Sequence, residues 1–190
     1  MLVIVLILSY ILGSIPFSLI ITRIKGINLR EIGSGNIGAT NVARTGNKFL
    51  AALALLLDSL KGFIAVYIAQ QFCDNNDFYI YVSAILAVLG HMFPIWLKFK
   101  GGKGVSTTLG VLIALNMPIA LIFIFAWIVV FFIFRYSSLA SLTSTTAAVL
   151  ASLFFQKDLF LALLTVAILI FLKHYKNITN LLQGKEHKFL

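Results

Sequence analysis

The sequence predicts an all-α protein that crosses a membrane several times. Hydrophobic residues make up 61% of its 190 residues and charged residues only 11%, whereas a soluble domain carries about a quarter charged residues. Apolar runs recur along the whole chain, many of them near the length that spans a bilayer; they lie at 2–21, 49–72, 78–97, 105–134, 139–155 and 159–172. With 17 phenylalanines the chain is also too hydrophobic for a disordered basic tail. We therefore expect one integral-membrane domain over residues 1–190.

The basic residues predict how this domain is oriented. Arg23, Lys25 and Arg30 follow the first apolar run and no basic residue precedes it, which is the reverse of a cleavable signal peptide. Because Lys and Arg concentrate in cytoplasmic loops, we expect a retained helix with its N-terminus outside and its basic flank inside.

The run at 105–134 decides the number of helices, since about 30 residues are more than one span needs. If it is two short helices hinged near Asn116 and Pro118, the chain has seven helices and a cytoplasmic C-terminus. A single span would give six and place the basic C-terminus outside. With seven helices, 13 of the 15 Lys and Arg residues lie on the cytoplasmic side, as expected for a membrane protein. The other two are Lys61 and Lys157. We expect seven transmembrane helices, some of them short.

The first inside loop reads Gly33-Ser-Gly-Asn-Ile-Gly-Ala-Thr-Asn-Val-Ala-Arg44. It contains G-x-G-x-x-G, but no predicted strand or βαβ unit surrounds it, so we do not expect a dinucleotide site. Glycines allow successive backbone N–H groups to face an anion. Further donors are the side chains of Ser34, Asn36, Thr40, Asn41 and Arg44. The composition favours anion binding over a flexible polar connector.

The second inside loop reads Lys98-Phe-Lys-Gly-Gly-Lys-Gly104 and runs into a predicted helix. Gly101 and Gly102 would let the backbone approach a ligand, and Lys103 supplies a cation beside the positive end of the helix dipole. The loop is not a Walker A motif, because Leu97 stands where that motif needs glycine. A basic loop that only sets topology would explain the lysines but not the glycines, so we favour an anion site here too.

Two further elements carry candidate residues. Ser137, Ser141 and Ser144 recur at helical spacing, where helix packing is the favoured role, although Ser141 facing a ligand stays open. Near the C-terminus, His174 and Asn177 share a helix face if the last helix continues through them. A binding site there and a basic lipid-contacting tail are equally favoured.

Three residues remain outside these loops. Asp58 and Lys61, three apart in the second helix, most simply form an ion pair that lowers the cost of burying either alone, and we favour this over a proton relay. The single Cys73 excludes an internal disulfide framework, and we do not expect it to act as a nucleophile.

These motifs together resemble the acyl-phosphate:glycerol-3-phosphate acyltransferase family of bacterial inner membranes. The resemblance rests on the first two loops and on three other segments, Asp58-Ser-Leu-Lys-Gly62, Gly90-His-Met-Phe-Pro94, and His174 to Asn177 with Gly184 and Glu186. It implies a seven-helix fold and transfer of a fatty acyl group from acyl phosphate to the 1-hydroxyl of glycerol 3-phosphate. The products would be lysophosphatidic acid and phosphate, in the first acylation step of phospholipid synthesis.

The resemblance also implies roles for single residues. It makes Ser34, Gly35 and Asn36 contacts for the acyl-phosphate head, assigns Arg44, Lys103 and Ser141 to holding phosphates, and completes the site with His174, Asn177 and Glu186. Asn180 departs from the family, where a basic residue is more common. No cofactor, metal or nucleic acid is expected; the partners are the two substrates, the bilayer and, as a further candidate, the enzyme that supplies acyl phosphate.

The residues agree with this chemistry and leave rivals open. No Cys stands in the motifs and no His-x-x-x-x-Asp pair occurs, so we expect direct attack by the hydroxyl on acyl phosphate, with His174 or a substrate oxygen as proton acceptor. A small carrier for phosphate esters would use similar loops, but no internal repeat is evident. A membrane scaffold would leave the polar loops unexplained.

Overall fold

The computed structural model describes residues 1–74 and 76–189, and this part of the chain is helical with no β-strand. It contains ten α-helices, joined by loops and by two short 3-10 helices at Ile95–Leu97 and Lys157–Leu159. The α-helices are α1 (Leu2–Ser14), α2 (Phe17–Ile24), α3 (Ala39–Ala43), α4 (Lys48–Phe72), α5 (Asp77–Met92), α6 (Val105–Leu115), α7 (Met117–Phe134), α8 (Ser137–Phe155), α9 (Phe160–Lys173) and α10 (Tyr175–Leu182).

By length and composition, five helical stretches of the described chain are able to cross a membrane, namely Leu2–Ile24, Lys48–Phe72, Asp77–Leu97, Met117–Phe134 and Ser137–Phe155. A sixth arises if α9 and α10, bent by 64° at their junction, count as one span. The shorter α6 has 11 residues, less than a standard span. The all-helical membrane fold is confirmed, whereas seven spans and their orientation stay predictions.

The long apolar run is divided where the sequence predicts. Asn116 separates α6 from α7, and its Oδ1 accepts a 3.1 Å hydrogen bond from the backbone N–H of Ile119. This caps the new helix, and Pro118 is tolerated in the first turn, where its missing N–H would have no helical partner. A second interruption was not expected: Pro16 lacks an N–H and ends α1 at Ser14, so the first apolar run is two helices.

The described chain forms two compact units. The first contains residues 1–74 and 76–115, and the second contains residues 116–189. In the first unit, α1 packs on α5 and α4 packs on α6. Both contacts are backbone-close because glycines stand at the crossings. A Cβ at Gly13 would overlap the carbonyl of Ala87, and one at Gly110 would overlap the carbonyl of Ser59. Small residues at such crossings are typical of membrane helices.

In the second unit, α7 packs on α8 and α8 packs on α9. The side of α7 away from these contacts is strongly apolar, with Phe125 and Phe132 both more than 60% exposed. Large exposed apolar side chains of this kind suit a lipid environment, where they need no protein partner. Most of the buried positions of α8 are small or hydroxyl-bearing, among them Ala140, Ser144 and Ser152.

Candidate active site

Asn41 organises the first loop from within. The residue lies in the short helix α3 and is 1% exposed. Its side-chain amide donates to the carbonyls of Leu29 and Ile32, at 3.0 and 2.9 Å, while its Oδ1 accepts from the backbone N–H of Ser34 at 3.1 Å. Both ends of its side-chain amide are therefore used to fold the loop. Leu29 is also part of a buried apolar cluster with Val42.

Glycines allow this loop to close tightly around Asn41. Gly33 has a φ of +53°, and a Cβ there would come within 2.6 Å of the Asn41 Oδ1 and 2.9 Å of Cδ of Arg44. Gly35 has a φ of +66°. Only glycine adopts these angles without strain. Because Gly33 has no side chain, Arg44 can pack directly against it. Ser34, between the two glycines, is exposed at the surface of the loop. Asn36 and Thr40 are half-buried in the same loop.

The second loop is fastened to the end of α5. The backbone N–H of Gly101 donates to the carbonyl of Met92 at 3.1 Å, and that of Gly102 donates to the carbonyl of His91 at 3.0 Å. A Cβ on Gly101 would overlap the His91 carbonyl, and one on Gly102 would overlap its ring. These glycines are needed for close packing on α5. Lys103 follows, half-buried, two residues before α6 begins.

Arg30 joins the two loops. The sequence showed only that this residue is charged, not that it has this role. Its guanidinium donates to the carbonyl of Lys100 and, at 3.5 Å, more weakly to that of Gly35. Lys100 is 70 residues away in the chain, so the positive charge of Arg30 just before the first loop was its only signal. In the first unit, the structure thus brings the Ser34 loop and the Lys103 loop together.

The expected ion pair in α4 is present. Nζ of Lys61 lies 2.8 Å from Oδ1 of Asp58, and both side chains are buried. His91 of α5 is adjacent, with Nδ1 3.7 Å from the same carboxylate oxygen. The pair is therefore part of a larger buried network in the first unit.

In the second unit, Asn177 and Glu186 are in direct contact. The side-chain amide of Asn177 donates a 2.7 Å hydrogen bond to Oε1 of Glu186. The same oxygen accepts a 2.7 Å bond from the hydroxyl of Ser138 at the start of α8. Ser138 was not among the sequence candidates, because a serine next to Ser137 carries no separate signal. Glu186 ties the C-terminal segment to α8 and holds Asn177.

Ser141 lies on the inner face of α8 and is 7% exposed. Its hydroxyl donates to the carbonyl of Ser137 at 2.7 Å and accepts from the indole N–H of Trp127 at 3.2 Å. Trp127, in α7, was also missed by the sequence. The contact supports the packing role that the serine spacing favoured.

His174 corrects one structural premise. The last long helix does not continue through this residue; α9 ends at Lys173 and α10 begins at Tyr175, so His174 and Asn177 do not share one uninterrupted helix face. The break coincides with a 2.8 Å contact between Nδ1 of the buried ring and the carbonyl of Ile170. A carbonyl only accepts, so Nδ1 carries a proton, and in the neutral ring the lone pair is on Nε2.

The comparisons with known proteins agree with this architecture. The family model for glycerol-3-phosphate acyltransferase matches residues 3–184. A glycerol-3-phosphate acyltransferase of Wolbachia pipientis subsp. Culex pipiens (strain wPip) is 82% identical, with 98% of each chain covered. One from Mesorhizobium japonicum is 51% identical, covering 98% of this chain and 95% of the relative.

The fold matches a crystal structure of PlsY (YgiH), an integral membrane glycerol 3-phosphate acyltransferase, in its glycerol 3-phosphate form. The TM-score is 0.95 at 40% identity, covering 100% of this chain and 96% of the other. The lysophosphatidic acid form of that protein matches with a TM-score of 0.93 at 39% identity, covering 100% and 95%. On sequence and fold together, the chain belongs to the glycerol-3-phosphate acyltransferase family.

Proposed function

We propose that the protein transfers a fatty acyl group from acyl phosphate to the 1-hydroxyl of glycerol 3-phosphate, releasing phosphate and lysophosphatidic acid. The observation that carries this is the paired loops of the first unit, in which Arg30 holds the Ser34 loop beside the Lys103 loop. Cations and small donors grouped in this way suit phosphate esters. The family relationship, with a relative solved in glycerol 3-phosphate and lysophosphatidic acid forms, supports the acceptor and the product.

The first unit provides the groups that the phosphate chemistry needs. Ser34, Gly35 and Asn36 contact the acyl-phosphate head, and the side chains of Ser34 and Asn36 stabilise the oxyanion that forms at the acyl carbon, since the N–H of Gly35 is used on the carbonyl of Ile32. Arg44 and Lys103 balance the charge of the departing phosphate. Thr40 adds a donor, and Asn41 keeps the loop in shape through its three internal hydrogen bonds. The N–H groups of Gly101 and Gly102 donate hydrogen bonds to carbonyls at the end of α5, so these glycines act by shaping the second loop.

For the C-terminal candidates we propose orientation of the hydroxyl and acceptance of its proton. Asn177, fixed by Glu186, orients the attacking hydroxyl but is too weak a base to remove its proton. His174, with its proton on Nδ1, carries a basic Nε2 when neutral, so it and an oxygen of acyl phosphate are the two candidate acceptors. Ser141 is a further phosphate contact in this proposal, a role that requires its hydroxyl to exchange the hydrogen bond to the Ser137 carbonyl for one to the phosphate. The hydroxyl oxygen forms the new ester C–O bond as its proton passes to the acceptor, which gives the tetrahedral oxyanion. The acyl C–O bond to phosphate then breaks and phosphate leaves, without an acyl-enzyme intermediate.

The membrane arrangement belongs to the same proposal. We place seven helices across the bacterial inner membrane, with the N-terminus outside and the C-terminus in the cytoplasm. The polar loops then face the cytosol, where doubly charged glycerol 3-phosphate is found, and the acyl chain enters from the bilayer. Short α6 is accommodated by local thinning of the bilayer.

The decisive assay uses the purified full-length protein with glycerol 3-phosphate and one of two donors, palmitoyl phosphate or palmitoyl-coenzyme A. The proposal expects phosphate release and lysophosphatidic acid in equal amounts from the first donor, and none from the second. Turnover only with the thioester would overturn the acyl-phosphate donor. No product from either, with the protein still folded, would favour a carrier. A trapped acyl-enzyme adduct would exclude direct attack.

A further inference from the structure

Polar groups of α2, α4 and α5 meet around Asp58, inside the first unit. Its Oδ2 accepts a 2.6 Å hydrogen bond from the hydroxyl of Ser18. Its Oδ1 lies 2.8 Å from Nζ of Lys61 and 3.7 Å from Nδ1 of His91. Lys61 also donates at 2.8 Å to the carbonyl of Ile15, at the break between α1 and α2. Asp58 and Lys61 are 1% and 3% exposed.

Stability alone is a weak reason for such a network. Charged groups within a membrane helix are costly, and buried ion pairs are often replaceable by apolar residues at no loss of stability. The reaction proposed above gives these side chains no contact with substrate. What distinguishes the network is its connection, through His91, to the second polar loop.

His91 holds that loop in two ways. Its carbonyl accepts the backbone N–H of Gly102 at 3.0 Å, and its ring lies so close that a Cβ on Gly102 would overlap Nε2, Cε1 and Cδ2. The ring therefore fills the space beside Gly102 and sets how near the loop comes to α5. Lys103 is the next residue, so the position of its backbone depends on the orientation of the ring.

We propose that Asp58 and His91 are positioning residues for Lys103. The carboxylate of Asp58 orients the His91 ring, the ring sets the place of Gly102, and Gly102 sets that of Lys103. This inference rests on the proposed function, which assigns Lys103 to the phosphate. A displacement of about 1 Å in a group that holds a reacting substrate is enough to cost about 100-fold in rate.

The first test is Asp58→Asn in the full-length protein, which keeps an oxygen acceptor for Ser18 but removes the charge beside His91. We expect a folded protein with kcat/KM lowered about 10- to 100-fold. The matched control is Ser83→Ala, a buried hydroxyl on the same helix as His91 with no partner in the described chain; it should keep wild-type kinetics. Asp58→Asn with a lower Tm but wild-type kcat/KM would reduce the network to a structural role.

The second test is a double-mutant cycle, and it decides the link from His91 to Gly102 even if Asp58→Asn does not fold. Gly102→Ala introduces the clash with the His91 ring and should lower kcat/KM strongly in the wild-type background. In His91→Ala the space is empty, so the same change should cost less than about threefold. Costs that simply add would show that Gly102 acts without His91, and would overturn the proposal.

The two tests are separable from the proposed function. The wild-type assay with palmitoyl phosphate decides the donor, whereas the cycle compares variants with one another. It is measured with whichever acyl donor supports turnover of the wild type. A thioester-dependent enzyme with a non-additive cycle would therefore refute the donor and keep the positioning role.

Discussion

Asn177 and Ser138 donate hydrogen bonds of the same length, 2.7 Å, to one carboxylate oxygen of Glu186. The C-terminal segment is thereby tied to the start of α8 and to α10 through a single acceptor. We expect loss of Asn177, Ser138 or Glu186 to affect the activity differently, so variants at these three positions test the proposed roles.

Asn177→Ala should abolish turnover while the protein stays folded, because the hydroxyl-orienting amide is lost. Ser138→Ala, which removes the other bond to the same oxygen, should retain most of the activity. Kinetics and Tm of the two purified variants check this. Equal activity in both would remove Asn177 from the site. A hydrogen bond to a charged acceptor contributes about 1.5–3 kcal/mol, so Glu186→Ala should lower both Tm and kcat.

Asn41→Asp should damage the first loop more than Asn41→Ala. The aspartate cannot donate to the carbonyls of Leu29 and Ile32, and it places a negative charge against both. Loss of these buried bonds should cost about 2 kcal/mol or more of unfolding free energy, measurable as a lower Tm in detergent. Equal Tm values for the two variants would show that the amide donors are not what holds the loop.

Gly110→Ala should destabilise the packing of α4 on α6, because its Cβ would overlap the carbonyl of Ser59. Gly46→Ala is the control: its Cβ meets open space, and its φ of +82° leaves only backbone strain of about 1–2 kcal/mol. We expect a much larger loss of folded protein for the first, measured by yield and Tm. Similar losses would mean that the crossing tolerates a wider separation.

The topology is tested by single cysteines in a Cys73→Ser background, labelled in intact cells with a membrane-impermeant maleimide. With seven spans, Lys157→Cys is labelled from outside and Lys188→Cys only after permeabilisation. With six spans the two results are exchanged. Each variant is the control for the other, since both lie in exposed segments of the second unit.

Cys73 should be slow to react. Its side chain is 1% exposed, and burial, with Asp74 adding to it, raises the pKa of the thiol above its ordinary value. The reactive thiolate is therefore scarce at neutral pH and increases only as the pH rises towards that higher value. Alkylation rates between pH 7 and 9 check this, and Cys73→Ser should leave kcat/KM unchanged. Rapid labelling at pH 7 would contradict it.

The sequence by itself determined the features that depend on residues close together in the chain. Hydrophobic runs indicated the helical membrane fold, Asn116 with Pro118 marked a helix break, and the spacing of Asp58 and Lys61 placed them in contact. The loops around Ser34 and Lys103 indicated anion chemistry by composition. Each of these follows from neighbours in the chain, where helix geometry fixes distances.

The tertiary structure decided which donors are used within the protein. Asn41 folds its own loop, the N–H groups of Gly101 and Gly102 are bonded to the end of α5, and Arg30 reaches Lys100 across 70 positions. The sequence also could not show that the helix breaks at His174, or that Glu186 holds Asn177. These contacts join residues whose separation depends on how whole helices pack, which no local spacing specifies.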